Sequence, residues 1–496
     1  MTKNLQELIA LLPGAEIEGS PDRVITQITY DSRQAGPGAL FIALTGSKAD
    51  GHDYVAAACR QGAAAVLAEK TVEGAMGATV IKVADTRAAM QAITPWFFDY
   101  PSRKLRMIGV TGTNGKTTTT HIIRAILMRA GFKVGLIGTI HSLIGDKALP
   151  VRNTTPDVVD LQMLLAQMVE EQVDYVVMEV SSHALALGRV SGTEYDVGVF
   201  TNVTRDHLDF HITFDNYIAA KAGLFQMISA PDATKSGKAA VVNVDDPVGS
   251  VMLDNCKCRS ITYGVEGKAD LTATDISVRS RGASFTVKGP FGSLPLELKI
   301  TGVFNVYNVL AACGAALAEG VDAATIRAAL EDFQSVPGRF ELVDAGQPFT
   351  VIVDYAHTPD GLENILKTAR QFARRRIIVV FGCGGDRDRT KRPIMGRLAM
   401  EYGDVVIATS DNPRTEDPAF ILREVEAGLK EAGRGEKPYE IIVDRREAIA
   451  RAIRLAAAED VVVIAGKGHE TYQVLKDRTI AFDDREVARE LIREMR

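Results

Sequence analysis

Hydrophobic positions along this chain recur in two periods, and the switches between them outline the elements. Up to about residue 100, short apolar runs of strand character (VITQITY, ALFIALTG, AAVLAEK, TVIKVAD) alternate with segments of helical spacing (HDYVAAACRQG, TRAAMQAITPWFFD), which predicts a small α/β unit. The first residues, MTKNLQELIALLPGAEIEGS, set a brief apolar run between Glu7 and Glu16 and read as an amphipathic helix, not a signal peptide. PSRK at 101–104 is a linker. LRMIGVTG then runs as an apolar strand into a Gly/Thr-rich turn, a helix through THIIRAILMRAG and a further strand at KVGLIGT, a βαβ opening. YVVMEVSS, VGVFTNVT and AAVVNVDD continue the alternation of a doubly wound, mostly parallel sheet, whose loops at the strands' C-terminal ends would carry function.

From about 258 to 300 the runs RSITYGV, ATDISVRS, ASFTVKG and SLPLELKI predict an antiparallel β extension, closed by the helix NVYNVLAACGAALAEG. The Pro-Gly of SVPGRFE, 335–341, marks a boundary. Beyond it FTVIVDYAHTP, RIIVVFGCGG, DVVIATSDNPR, YEIIVDR and DVVVIAGKG alternate with helices, predicting a Rossmann-like α/β sheet. The expected organisation is α/β throughout, in three domains at 1–103, 104–335 and 336–496.

Composition narrows the function. A chain of 496 residues is too long for one core. With 57 basic and 63 acidic residues the net charge is −6, which lacks the basic surplus that neutralising a nucleic-acid backbone requires. No apolar stretch approaches the ~18 residues of a bilayer span. The five cysteines (Cys59, Cys256, Cys258, Cys313, Cys383) are odd in number and scattered, which suits a reducing compartment; Cys256 and Cys258 lack the second ligand pair of a zinc site. A soluble cytoplasmic protein is expected, acting on small molecules without nucleic acid or membrane, as a monomer.

The sharpest local feature is GVTGTNGKTTTT at 109–120, between a predicted strand and a helix. Glycine-rich backbone there turns N–H groups onto phosphate oxygens, and the helix N-terminus adds partial positive charge. Lys116 would neutralise the outer phosphates and Thr117 would reach a magnesium ion, although Val110 stands where the first glycine of the strict pattern belongs. The bland alternative is a tight strand-to-helix turn with no ligand. Five histidines (His183, His207, His211, His357, His469) lie at strand ends or loops, but no third ligand completes a zinc set, so magnesium on oxygen ligands is expected instead. Glu179 closes an apolar strand, where a buried carboxylate needs a cation. Lys221 in YIAAKAGLF reads, on residues alone, as a solvated helix lysine. GCGGDRDRTKRP puts Arg387, Arg389, Lys391 and Arg392 in a glycine-rich loop, and SDNPRTEDP puts Arg414 in another. Such forks suit an acidic small molecule or, equally, surface ion pairs.

In order, GVTGTNGKTTTT, NTTPD, MEVSSHAL, NVTRDHLDFH, Lys221, GVFNVYN, SVPGRFE, DYAHTP and SDNPR resemble the motif series of the Mur ligase family, from the first linker almost to the C-terminus. The resemblance implies a central P-loop ATPase-like domain and an ATP-dependent acid–amino-acid ligase of peptidoglycan precursor synthesis. Its substrates would be UDP-MurNAc-L-Ala-D-Glu, meso-diaminopimelate and ATP, joined through an acyl phosphate with magnesium as cofactor. It assigns Thr111, Gly112, Thr113, Asn114, Gly115, Lys116, Thr117, Asn305, Arg339, Asp354 and His357 to ATP, with Asn308 beside them. Thr117, Glu179, His207 and Lys221, the last as a carbamate, would hold metal, and Lys116, Lys221 and His207 would be catalytic. Tyr30, Ser32, Ser47, Lys48, Ala49, Asn153, Thr154, Thr155, Ser181, Leu187 and Arg189 match the UDP-substrate positions, Tyr30 and Leu187 departing from the usual residue types. Arg387, Asp411, Asn412, Pro413, Arg414, Gly466 and Glu470 would select diaminopimelate, Arg414 gripping the distal carboxylate that lysine lacks. A lysine-adding member of the same family, or a binding protein that uses ATP as a switch, are the alternatives. A folylpolyglutamate synthetase is disfavoured by the long N-terminal unit with YDSR and by the SDNPR loop.

Overall fold

The computed structural model describes all residues except 47–48, 150, 152, 232–233, 434–436 and 496. The described chain forms two compact units, one of residues 1–109, 132–198 and 223–238, the other of 110–131, 199–222 and 239–496.

In the first unit a five-stranded sheet runs in the order Glu16–Glu18, Thr79–Lys82, Ala65–Ala68, Ala39–Ile42, Gln27–Thr29, antiparallel at the first pairing and parallel at the rest. Its inner strands are apolar at consecutive positions because both faces are covered. Leu40, Ile42, Leu67 and Ile81 pack with Leu5, Leu8, Met90, Ile93 and Phe97. Their neighbours Phe41 and Val66 point the other way, onto Val55 and Ala58. The helix Thr86–Phe97 starts where Asp85 accepts the Ala88 N–H, which satisfies one of its free donors. The same unit holds the parallel strands Val134–Ile137 and Tyr175–Glu179, and the helix Val158–Glu170, whose Val158 and Val159 join the first of these cores.

The second unit contains two sheet systems. Ala239–Asn243 pairs in parallel with Arg259–Gly264, which pairs in parallel with Leu271–Arg279; only then do Gly282–Gly289 and Gly292–Leu298 follow antiparallel. The expected antiparallel extension is therefore shorter than its apolar runs suggest. RSITYGV belongs to the parallel part, because the helix Gly249–Asp254 supplies a crossover before it. The other sheet has the order Glu341–Leu342, Thr350–Asp354, Val461–Ala465, Ile377–Phe381, Val405–Ala408, Tyr439–Ile441, five strands parallel behind one antiparallel edge. Ile352, Val379, Phe381, Val406 and Val463 fill one layer, and Val351, Val353, Ile378, Val380, Ile407, Val462 and Ile464 the other. The α/β class and the mostly parallel pairing are as expected. Among the described residues no helix is long and apolar enough to cross a membrane.

Candidate active site

The strand Arg106–Thr111 ends in the glycine-rich turn, and the helix Lys116–Arg129 begins at Lys116. Gly115 takes φ +84°, and a Cβ there would stand 2.3 Å from Asn308 Oδ1, so only glycine fits. The turn is braced from below: Thr113 N–H donates to Asn202 O (2.8 Å), Asn114 N–H to Asn202 Oδ1 (2.9 Å) and Thr201 Oγ1–H to Asn114 O (2.6 Å). Thr113 Oγ1 pairs with the Tyr217 hydroxyl at 2.9 Å, and Asn114 Nδ2 donates to Asp360. Lys116 Nζ lies on the carbonyls of Gly112 (2.8 Å) and Thr113 (2.7 Å).

Lys221 overturns the solvated-helix reading. Its helix, Phe214–Ile228, turns it inward until the residue is only 1% exposed, with Nζ donating to Gly112 O at 2.8 Å and lying 4.4 Å over the Tyr217 ring. Burial, then the ammonium of Lys116, hold its pKa well below the ordinary lysine value despite the opposing pull of Asp206. Burial of this kind favours the uncharged form of the amine. Burial would raise Asp206 too, but His207, His357 and Lys391 outweigh it and hold this carboxyl below the usual range. His207 has a left-handed backbone (φ 55°), its ring 3.3 Å from Asp206.

Further residues expected at the nucleotide lie in this unit. Arg339 Nη2 donates to Thr117 Oγ1 (3.1 Å), and its guanidinium stacks 4.6 Å over Tyr355. Asp354 accepts the Phe340 N–H at 2.6 Å; burial raises its pKa, against the attraction of Arg339. His357 carries Lys391 Nζ on its carbonyl at 2.9 Å. Asn305 is held in a chain of hydrogen bonds: its Nδ2 donates to Thr301 O, and its Oδ1 accepts from Asn308, whose Oδ1 accepts from Thr119. Asn305 and Asn308 therefore shape the loop's floor.

In the first unit Glu179 is 1% exposed at its strand's end, accepting from Thr139 N–H (2.9 Å) and Thr139 Oγ1–H (3.0 Å). Thr139 Oγ1 also meets Thr154 Oγ1, while Thr155 Oγ1–H donates to the Glu179 carbonyl and accepts from Ser181 N–H. Arg189 reaches the Thr155 carbonyl at 3.4 Å and Asp157 at 3.8 Å. Glu179, Thr154, Thr155, Ser181 and Arg189 thus form one polar cluster, and Asn153 is exposed beside Thr154. Elsewhere in the unit the Tyr30 hydroxyl donates to Asp160 (2.5 Å), Ser32 opens a 3-10 turn, Ala49 accepts from Gly46 N–H, and Leu187 accepts from Gln91. Ser47 and Lys48 lie outside the described residues.

The expected amino-acid pocket gathers at the C-terminal ends of three parallel strands of the second unit, where a crevice opens in such sheets. Asp411, Asn412 and Pro413 follow Val405–Ala408 and are buried. Gly466 follows Val461–Ala465 with φ +119°, and a Cβ there would stand 2.6 Å from Asp411 Oδ2. Arg414 (φ 52°) donates to Gly385 O at 2.7 Å. Asn412 Nδ2 donates to Glu470 Oε2 at 2.8 Å. Arg387 is exposed on the facing loop. The four-residue basic loop expected from sequence is corrected: Lys391 and Arg392 belong to the helix Lys391–Tyr402, and Arg392 is fully buried, paired with Glu416 and Glu424. Arg389 pairs with Glu424 as well. These are structural ion pairs because the carboxylates of the following helix and loop take up the terminal nitrogens of the guanidinium forks.

Three residues escaped sequence reasoning. Lys467, within GKGHE, is fully buried against Asn412 and Glu470. Arg445 and Asp484 form a buried pair behind the same loops, Arg445 reaching the carbonyls of Ser410 and Ala465. A charged residue between two glycines at a strand end was the available signal for Lys467; Arg445 carried none.

Donor chemistry around the glycine-rich turn suits a nucleotide and a hard cation. Thr111 Oγ1 and Arg339 Nε are buried without a hydrogen-bond partner among the described residues, and the hydroxyl and carboxylate oxygens are of the kind magnesium takes. No group of three or more His, Cys, Asp or Glu side chains forms a metal cluster among the described residues.

Three family models match: Mur ligase family, catalytic domain, over 24–95; Mur ligase middle domain over 110–316; and Mur ligase, glutamate ligase domain, over 338–468. The UDP-N-acetylmuramoyl-L-alanyl-D-glutamate--2,6-diaminopimelate ligase of Geobacillus thermodenitrificans is 50% identical over 494 residues, 99% of this chain and 100% of its own. That of Syntrophomonas wolfei is 47% identical over 490 residues, 98% of this chain and 99% of its own. A solved structure of a ligase of the same name is 34% identical with a TM-score of 0.67, covering 100% of this chain and 99% of that one. MurF from Acinetobacter baumannii, 23% identical with a TM-score of 0.69 over 94% of this chain and 96% of its own, shares the fold. With the glycine-rich turn, the inward lysine and the strand-end pocket in place, and with relatives matched from end to end, the chain belongs to the Mur ligase family.

Proposed function

We propose that the protein is an ATP-dependent amide ligase that joins meso-diaminopimelate to the side-chain carboxylate of D-Glu in UDP-MurNAc-L-Ala-D-Glu, in cytoplasmic peptidoglycan precursor synthesis. The observation that carries the choice of amino acid is the pocket of Asn412, Arg414 and Glu470, which offers cationic and N–H donors beside a carboxylate acceptor. Such a site complements a distal end bearing both –COO⁻ and –NH₃⁺, whereas lysine presents an ammonium alone. The names of the end-to-end relatives point the same way.

The chemistry begins when a D-Glu carboxylate oxygen attacks the γ-phosphorus of ATP and ADP departs, leaving an acyl phosphate. The amine of diaminopimelate then attacks the acyl carbon, and the tetrahedral intermediate expels phosphate as the nitrogen loses its proton. Lys116 balances charge on the transferring phosphoryl group from the helix N-terminus. The backbone of 111–115 orients the phosphates, held by Asn202, Thr201 and Tyr217. Lys221, whose burial favours the uncharged amine, adds CO₂ to become an N-carboxylate, losing a proton, and so places an anion where the free amine stood. Thr117, His207 and that carbamate in the second unit, and separately Glu179 in the first, are the proposed metal-holding residues, and magnesium when bound would supply Lewis-acid neutralisation of phosphate charge. Thr154, Thr155, Ser181 and Arg189, with Tyr30, Ser32, Asn153 and Leu187, are proposed to receive the UDP-sugar peptide. The three-way division at 1–103, 104–335 and 336–496 corresponds to nucleotide-sugar binding, ATP chemistry and amino-acid selection, with the monomer as the working unit.

The test is phosphate release by the purified protein with ATP and Mg²⁺. Release should require both UDP-MurNAc-L-Ala-D-Glu and meso-diaminopimelate. Equal or better turnover with L-lysine would refute the choice of amino acid, and ATP binding without amine-dependent release would mark a switch instead.

A further inference from the structure

Lys467 is a fully buried lysine in the amino-acid pocket that the proposed reaction has not used. Its Nζ donates to Glu470 Oε2 at 2.9 Å and to Asn412 Oδ1 at 3.1 Å, and it lies 5.6 Å from the centre of the Tyr472 ring. Asn412 is thereby orientated: its Oδ1 accepts from both Lys467 and the Val474 N–H (2.9 Å), while its Nδ2 donates to the same Glu470 Oε2 at 2.8 Å. One oxygen of Glu470 consequently carries two donors, and the other is left to the pocket. With its Oδ1 saturated, the Asn412 amide has only an N–H left to offer a ligand. The result is one carboxylate oxygen for an ammonium and one amide hydrogen, with the Arg414 fork, for a carboxylate.

We propose that Lys467 is a positioning residue for amino-acid selection, which locks Glu470 and Asn412 in the orientation that reads a zwitterionic amino-carboxylate end. Resting on the diaminopimelate reading above, the inference makes discrimination depend on a lysine that need not touch the substrate. Removing the lysine leaves Glu470 with a single hydrogen bond and takes from Asn412 Oδ1 one of its two donors, so the acceptor is misdirected and the donor is held less firmly.

The test compares meso-diaminopimelate with 2-aminopimelate, which keeps the distal carboxylate and lacks the distal amine, as substrates of the full chain. The ratio of their kcat/KM values is independent of the fraction of enzyme folded, so a destabilised variant still reports. In Lys467→Met the preference for diaminopimelate should shrink by about 10-fold or more, through the amino-acid KM, with the KM for ATP unchanged. Lys467→Arg should restore most of it. In a Glu470→Gln background, Lys467→Met should change the ratio by less than about 3-fold, since the two act as one unit. Should Lys467→Met prove insoluble, Lys467→Gln carries the same comparison. Equal losses with both amino acids, or a Lys467→Met effect undiminished by Glu470→Gln, would overturn the proposal. Wild-type preference for L-lysine would instead refute the diaminopimelate reading, a distinct result.

Discussion

Replacing Asp484 by asparagine removes the charge partner of a guanidinium that has no water to turn to. Arg445 and Asp484 are both fully buried and bonded at two points, Nε to Oδ1 at 2.8 Å and Nη2 to Oδ2 at 2.7 Å. Arg445 also donates to Ala465 O (3.0 Å) and Ser410 O (3.4 Å), the carbonyls just before Gly466 and Asp411. Breaking a buried pair by deleting one partner costs about 3–5 kcal/mol, because the remaining ion keeps its desolvation penalty. For a folding region of this size that corresponds to a fall of roughly 6–20 °C in the unfolding midpoint. The same change loosens both loops of the amino-acid pocket, so the KM for diaminopimelate should rise while that for ATP holds. Thermal unfolding followed by circular dichroism measures the first effect, and steady-state phosphate release the second. Arg446→Ala, which removes the exposed Arg446–Glu490 pair next along the helix, is the control and should shift the midpoint by less than about 2 °C. A midpoint for Asp484→Asn within 2 °C of wild type, or equal to that of the control, would refute the assignment of this pair as the pocket's support.

Gly115→Ala should abolish ATP-dependent phosphate release and weaken ATP binding measured by calorimetry by about 100-fold or more, since the new Cβ meets Asn308 Oδ1 at 2.3 Å on a left-handed backbone; near-normal affinity would show that the loop can rearrange. Lys221→Met should stabilise the protein stripped of nucleotide and CO₂. Between its lowered folded-state pKa and the ordinary value of 10.5 the unfolded chain binds the extra proton, so the wild type gains stability as pH rises through that window, and the variant's advantage should shrink accordingly. A gain in melting temperature that is flat with pH would contradict this. The same variant should lack turnover, whereas in the wild type turnover should fall on CO₂ depletion and return with bicarbonate. Arg414→Ala should raise the KM for diaminopimelate by about 10-fold or more and leave ATP use alone, while Lys116→Ala should stop turnover with every amine; indistinguishable kinetic profiles would contradict the separate roles.

Strand and helix alternation, the glycine-rich turn and the parallel sheet at 350–465 were all legible along the chain, because burial on both faces of a sheet writes continuous apolar runs and a phosphate turn needs glycines at set spacing. RSITYGV was misassigned because a short strand shows the same apolar pattern whether its neighbour runs parallel or antiparallel, and only the crossover helix settles the direction. Arg392 and Lys221 show the same limit for side chains. Both are basic residues on helices of mixed polarity, yet one closes a structural ion pair with Glu416 and Glu424, and the other lies buried against the Gly112 carbonyl. Which face of a helix is buried depends on what packs against it, and helical spacing carries no record of the partner.

Linear order was enough for the class of fold, the family and the residue types able to hold phosphate and carboxylate, since each depends on local spacing or on motifs read along one chain. The burial of Lys221 and the lowering of its pKa, the place of Asn305 and Asn308 beneath the loop, and the Lys467–Asn412–Glu470 triad emerged only on folding. Each depends on desolvation or on hydrogen bonds between residues distant along the chain, Asn412 and Lys467 being 55 positions apart, and neither burial nor that proximity exists before the chain is packed.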